Sequence, residues 1–246
     1  MAVLIIVVVL AAVGYSFFLN LFAPTPSLDL ANPDAPQSTD PVERHSGQAE
    51  GVVVEVTPRT VQSLIADLER YESYHRTVAV EYFDNGGEPV GTVSAQVWAD
   101  GGWVRTSAVL SSGVVEYSIV GDGTLWLWYG KAGPVYSGPA GGKTADLVQR
   151  LPTYEDVLEL NKADITAAGY EERGGQPCVY VEVNGLLGCV ERYWVSVDSG
   201  LLVAAETEKE GVAVYVMTAE DVVSPLEQIS GVFVLPDGTV LYPPEE

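Results

Sequence analysis

Basic side chains are scarce in this chain of 246 residues: 12 Lys and Arg stand against 34 Asp and Glu, a formal charge of −22. Phosphate backbones are held through Lys and Arg with release of counterions, and anionic lipid surfaces draw basic segments in the same way. A chain this acidic suits neither, and no nucleic-acid partner is expected. Histidine is limited to His45 and His75, so a His-based triad or a multi-His metal site has almost no material. Cysteine is limited to Cys178 and Cys189, eleven positions apart and without partner His or Cys, which argues against a metal cluster. No Asp-x-Asp-x-Asp calcium loop occurs, and the pairs Glu155-Asp156 and Glu171-Glu172 read as solvated surface. The sequence assigns no catalytic residue, cofactor or metal, and it does not read as an enzyme.

Charge is missing altogether from residues 2 to 22, AVLIIVVVLAAVGYSFFLNLF, a run of 21 positions. At ~1.5 Å rise per residue that is enough helix to cross a hydrocarbon core of ~30 Å. A cleaved signal peptide has a basic n-region, a shorter apolar core and a small-x-small cleavage site. Here the first basic residue is Arg44 and the run ends in Leu21-Phe22-Ala23. No Cys follows, which excludes a bacterial lipoprotein anchor. The run therefore predicts an uncleaved signal anchor over 1–23, with the membrane as its partner. Prolines at 24, 26, 33, 36 and 41 among Ser, Thr, Asp and Gln make 24–50 a disordered, semi-extended tether. Residues 51–246 suit one domain with its own core.

Within that domain a short apolar strand is expected over Val52–Val56, then a helix with Thr57 as cap, Pro58 in its first turn, and Val61, Leu64, Ile65 and Leu68 at helical spacing. After Tyr71 the period becomes two. Strands are expected over Tyr74–Phe83, Val90–Ala99, Trp103–Leu110, Val114–Val120 and Thr124–Tyr129, separated by short Gly/Asn/Asp/Ser turns. Connections this short demand an antiparallel meander, because a parallel neighbour needs a long crossover. Thr153-x-x-Asp156 resembles a capping box before a second helix. Strands resume over Ala167–Glu172, Cys178–Val183, Cys189–Val197, Leu201–Glu208 and Val212–Met217, and Val232–Leu241 reads as a last hairpin or edge strand.

Ser137-Gly138-Pro139-Ala140-Gly141-Gly142-Lys143-Thr144 looks like a phosphate loop, but the required first Gly is one residue out of place and the hairpins contradict a parallel sheet. A Gly-rich connection is the better reading. Cys178 and Cys189 flank Asn184-Gly185 in a strand-turn-strand stretch. They read either as a cross-strand disulfide, which would place the domain in an oxidising compartment, or as two unrelated thiols. No Lys or Arg flanks the apolar run closely enough to orient it, so the disulfide favours a single-pass protein of the cell membrane with its domain outside the cytoplasm.

What remains is aromatic. Trp126 and Trp128 lie two apart on one strand and share a face. Trp98 and Trp103 flank a tight turn, and Tyr82 and Tyr117 sit on other strands. Ordinary sheet core is one reading; a concave aromatic surface for an apolar ligand, with Trp98, Trp126, Trp128, Tyr82 and Tyr117 as candidates, is the other.

The helix Thr60–Leu68, the strand Tyr74–Val80, the long meander, the helical insertion and a late Trp194-Val195-Ser196-Val197-Asp198-Ser199-Gly200-Leu201-Leu202 together resemble the LolA/LolB-like lipoprotein-carrier superfamily, including its envelope-stress sensor relatives. The resemblance covers residues 52 to 240. It implies an α+β, mainly antiparallel fold: an unclosed half-barrel with a few helices on its concave side and a cavity for acyl chains. It also implies an Arg that controls cavity opening, for which Arg76 and Arg105 are the candidates. The expectation is a non-catalytic, tethered extracytoplasmic domain that binds a lipid or lipoprotein acyl chain or an envelope protein. The alternative is a structural or interaction subunit of a cell-envelope complex, with a packed core.

Overall fold

The computed structural model describes residues 55–140 and 151–242. The apolar run, the Pro-rich stretch and most of the strand expected over Val52–Val56 lie outside these residues, and Glu55 and Val56 belong to no strand. Among the described residues no helix is long and apolar enough to cross a membrane.

Alternation of apolar and polar side chains drives the fold. The first six strands are β1 (Ser73–Phe83), β2 (Pro89–Asp100), β3 (Trp103–Val109), β4 (Val115–Gly121), β5 (Thr124–Tyr129) and β6 (Tyr136–Pro139). A second series follows: β7 (Ile165–Arg173), β8 (Gln176–Asn184), β9 (Cys189–Ser196), β10 (Leu202–Lys209) and β11 (Val212–Val223). Each series is a meander of consecutive antiparallel hairpins, as the short turns require. Pairing of β1 with β11 fuses them into one sheet in the order β6-β5-β4-β3-β2-β1-β11-β10-β9-β8-β7. β6 and β7 stand at opposite ends of that order, so the sheet is unclosed. The described part of the phosphate-loop look-alike, Ser137-Gly138, is an edge strand paired antiparallel with β5; Gly142-Lys143-Thr144 lies outside the described residues.

Two short helices lie on one face. Helix α1 (Val61–Asp67) starts later than its pattern suggests, because the Thr60 hydroxyl donates to the Glu55 carbonyl at 3.0 Å and holds 57–60 in a turn. Helix α2 (Tyr154–Glu159) has the expected capping box, the Thr153 N–H donating to Asp156 Oδ2 at 2.7 Å. The helices run antiparallel: the buried Gln62 amide at the start of α1 donates to the Val157, Leu158 and Leu160 carbonyls at the end of α2, at 2.8–3.0 Å. Val61, Ile65 and Val157, all fully buried, pack with Val78, Val97, Val179, Val181, Val195 and Met217 into the main core.

Two further clusters cover the opposite face. After β11 the chain crosses beneath β1–β5 and ends in a small hairpin, β12 (Phe233–Val234) with β13 (Val240–Tyr242). Fully buried Phe233 packs there with Trp103, Ile119 and Trp128. Farther along, Cys178, Trp194, Val203 and Ala204 pack under a polar lattice. In it Arg192 bridges Glu182 and Glu208 at 3.0 and 2.8 Å, and Arg173 pairs with Glu206.

The cysteines correct an expectation. Both thiols are free. Hairpin register pairs Cys178 with Ser196, while Cys189 sits at the turn, where its carbonyl accepts from the Gly185 N–H at 2.8 Å. Cross-strand neighbours must be equidistant from the turn. Cys178 is six positions before Asn184, whereas Cys189 follows the turn directly, and register puts their side chains on opposite faces. The argument for an oxidising compartment goes with the disulfide.

Candidate functional site

A cleft of about 430 Å³ opens on the helix-bearing face, at the end of the sheet that carries the β2–β3 turn. Tyr74 and Arg76 from β1, Ala99 from β2, Val104 from β3 and Leu202 from β10 form its floor. These positions are cross-strand neighbours on one face, since Tyr74 pairs with Ala99 and Ala99 with Val104. Arg70, Tyr71 and Glu72 after α1, with Thr153 and Tyr154 at the start of α2, form the rim.

Arg70 braces this rim. Its guanidinium donates to the Ala66 and Leu68 carbonyls at 3.2 and 3.0 Å, closing the end of α1, and lies 3.8 Å from the centre of the Tyr154 ring. The turn Asp198-Ser199-Gly200 locks the loop below it: the Tyr71 N–H donates to the Ser199 carbonyl at 3.1 Å. Gly200 takes φ +67°, and a Cβ there would meet the Glu69 carbonyl oxygen at 2.5 Å. This explains glycine in the late Asp-Ser-Gly-Leu-Leu phrase, whose two leucines then line the cleft.

Arg76 is 1% exposed, and its Nη1 donates to the Leu202 carbonyl at 2.9 Å. A guanidinium in an apolar floor is costly unless hydrogen-bonded, and this bond holds it at the base of the cleft. Arg105 lies on the other face, donating to the Val232 carbonyl, with Trp98 5.7 Å away; burial lowers its pKa from the usual arginine value. Of the two arginines singled out from the sequence, only Arg76 belongs to the cleft.

The aromatic candidates are placed differently from the reading that joined them in one concave surface. Trp126 and Trp128 do share a face, but register puts them opposite the helices, paired with Ile119 and Tyr117. Tyr117 stacks on Trp128 at 5.4 Å, Trp103 stacks on Trp126 at 5.9 Å and on Tyr242 at 5.4 Å, and Trp128 is 3% exposed beneath the C-terminal segment. Trp98 is on the same face, against His75 at 4.9 Å. Tyr82 alone lies on the helix-bearing face, but at its far end, edge-on to Tyr215. The structure brings Trp126, Trp128 and Tyr117 together as core and leaves Trp98 and Tyr82 apart from them. Reading the sequence strand by strand missed Tyr74, Val104, Leu201 and Leu202; the signal available was the resemblance-bearing phrase that ends in Leu201-Leu202.

Fold and cleft together define an unclosed antiparallel sheet with helices across one face and an apolar recess at their margin. No protein-family model matches the chain, and no curated protein matches it. Among solved structures the chain is similar to LprF from Mycobacterium bovis, at 15% identity over 69% of this chain and 92% of that one, with a TM-score of 0.39. It is similar to a chain of the MucA/MucB complex from Pseudomonas aeruginosa, at 14% identity over 75% of this chain and 63% of that one, with a TM-score of 0.46. It is also similar to a LolA-superfamily protein from Nitrosomonas europaea, at 13% identity over 68% and 92%, with a TM-score of 0.32. The third of these neighbours carries in its name the superfamily that the sequence pattern resembles. The chain spans less than two thirds of the chain matched in the MucA/MucB complex.

Proposed function

We propose that this chain is a non-catalytic binding domain whose cleft takes an apolar, lipid-like ligand such as the acyl chain of a lipid or lipoprotein. The supporting observation is the cleft itself: about 430 Å³, floored by Tyr74, Ala99, Val104 and Leu202, falls within the ~300–1,000 Å³ range of small-molecule sites with apolar walls and few polar groups. Arg76 at its base is the convergent polar group. Because it already serves the Leu202 carbonyl, a ligand head group would compete for a donor that ties β1 to β10. The same reading keeps an anchor at 1–23, a tether at 24–50 and the domain from 51 on, held at the cell membrane outside the cytoplasm. Protection of the domain from external protease in intact cells would place it on the inner side instead.

Full-length protein is expected to take up a fluorescent fatty acid, and Val104→Phe, which fills the cleft from its floor, is expected to weaken uptake by at least ~10-fold with an unchanged circular dichroism spectrum. A specific observation favours a second reading, an interaction subunit of an envelope complex: the core directly beneath the helices is filled, with Val61, Ile65 and Val157 at 0% exposure. No uptake by the parent protein, or equal uptake by Val104→Phe, would transfer the case to that reading.

A further inference from the structure

We infer that the tip of the β8–β9 hairpin, at the end of the sheet where the chain enters the domain, touches a lipid bilayer, with Leu186 and Leu187 inserted at the membrane interface. These two side chains are 68% and 81% exposed at the tip of the β8–β9 hairpin. Leu187 adopts φ +57°, ψ +27°, a left-handed conformation that is costly for a residue with a Cβ. Other tight turns of the sheet, at both of its ends, include Asp84–Gly87, Gly101-Gly102, Asp122-Gly123, Gly174-Gly175, Asp198–Gly200 and Glu210-Gly211, and these contain no aliphatic side chain. Two adjacent leucines facing water in a strained turn need a partner with an apolar phase.

The tip is rigid and well placed. The Gly185 N–H donates to the Cys189 carbonyl at 2.8 Å, and the Asn184 N–H donates to the Asp164 carbonyl at 2.9 Å, tying the hairpin to the start of β7. The end of α2 leads into that same segment, and Gln62 holds the start of α1 against the end of α2. The chain therefore enters the domain, at Glu55, on the same end as Leu186 and Leu187.

Residues 24–54 separate this entry point from the uncharged run. Read as the tether proposed above, a stretch of this length spans roughly 30 Å, which keeps the tip at high effective concentration near a bilayer that holds the run. The inference rests on the anchor reading. The tip sequence Asn184-Gly185-Leu186-Leu187-Gly188-Cys189 is uncharged and the chain carries −22, so recognition is of hydrocarbon and not of anionic head groups. Contact is expected on zwitterionic lipid and to be insensitive to salt.

The test uses the full chain in phosphatidylcholine nanodiscs, carrying Cys189→Ser together with either Leu187→Cys or, as an aqueous control, Asp237→Cys, each labelled with a nitroxide. Melting curves matching the parent establish that the variants fold. Oxygen accessibility several-fold above that of the control, with loss of access to a polar nickel relaxant, supports insertion. Water-like accessibility in protein that stays with the nanodiscs overturns insertion while leaving the anchor reading intact. Shielding from both reagents indicates a protein contact and also overturns it. Failure of the chain to associate with nanodiscs removes the anchor reading and the inference with it.

Discussion

At the scale of single residues, register decides chemistry. Cys178 and Cys189 flank a turn in the sequence, yet one is buried at the middle of a three-strand neighbourhood and the other sits beside the turn. Burial pushes the Cys178 thiol up to about 11, so at neutral pH it is neither ionised nor reachable. We expect Ellman's reagent to titrate one thiol in native protein and two after denaturation without reductant. A count of zero in denatured, unreduced protein would restore the disulfide. The spacing was legible in the sequence; the exact site of the turn was not, because Asn184-Gly185 looks like a two-residue hairpin turn, whereas the structure runs a 3₁₀ turn through Leu186–Gly188 before β9 begins.

At the scale of elements, the C-terminal segment behaves as a second layer. It is pinned at three places: the Ser224 hydroxyl donates to the Ser73 carbonyl at 2.7 Å, Arg105 holds the Val232 carbonyl, and the Tyr242 hydroxyl donates to Asp100 at 2.9 Å. Phe233, at 0% exposure, is its main apolar anchor. Phe233→Ala is expected to cost about 3–5 kcal/mol, the usual range for a buried Phe truncated to Ala, and to speed proteolysis within 225–242 more than within β7–β11. Uniform acceleration would mean that the segment does not open separately. Trp126→Ala with Trp128→Ala should act likewise, lowering stability while leaving uptake at the cleft to Val104. Element existence was legible here: the capping box at Thr153 and the tail hairpin follow from local patterns. What a hairpin covers does not, because apolar residues on a strand read alike whichever face they occupy.

At the scale of the whole molecule, tyrosines and a charged lattice set the pH range of stability. Burial, then Glu191, keeps Tyr193 well above the usual phenol range; burial also raises Tyr215; and burial, then Glu182, pushes Tyr180 up to about 12. A group whose pKa is raised on folding contributes stability below its unfolded value, ~10 for tyrosine, and loses it as pH rises through the folded value. Burial alone would raise Glu182, but hydrogen bonds from Arg192, Tyr180 and Thr166 outweigh it and leave its pKa below the ordinary value. That contribution is present above the unfolded value, ~4.3, and lost as pH falls through the depressed one. Urea melts are therefore expected to be level between about pH 5 and 9 and to weaken above about 10, with the tyrosinate absorbance of Tyr180, Tyr193 and Tyr215 appearing only as the protein unfolds. Full phenol ionisation at pH 10–11 without unfolding would contradict this.

Most of the two meanders and of their turn positions, and the capping of α2, are determined by the sequence alone, since each depends on contacts among neighbours: alternation of period two, glycines where φ is positive, and a Thr-x-x-Asp spacing. Only the tertiary structure decided that β1 pairs with β11, which face the helices cover, and that Tyr74, Arg76, Val104 and Leu202 meet in a cleft. Those residues are up to 128 positions apart. Their meeting depends on two helices and a C-terminal segment choosing opposite faces of one sheet, and no local pattern in the strands distinguishes those faces.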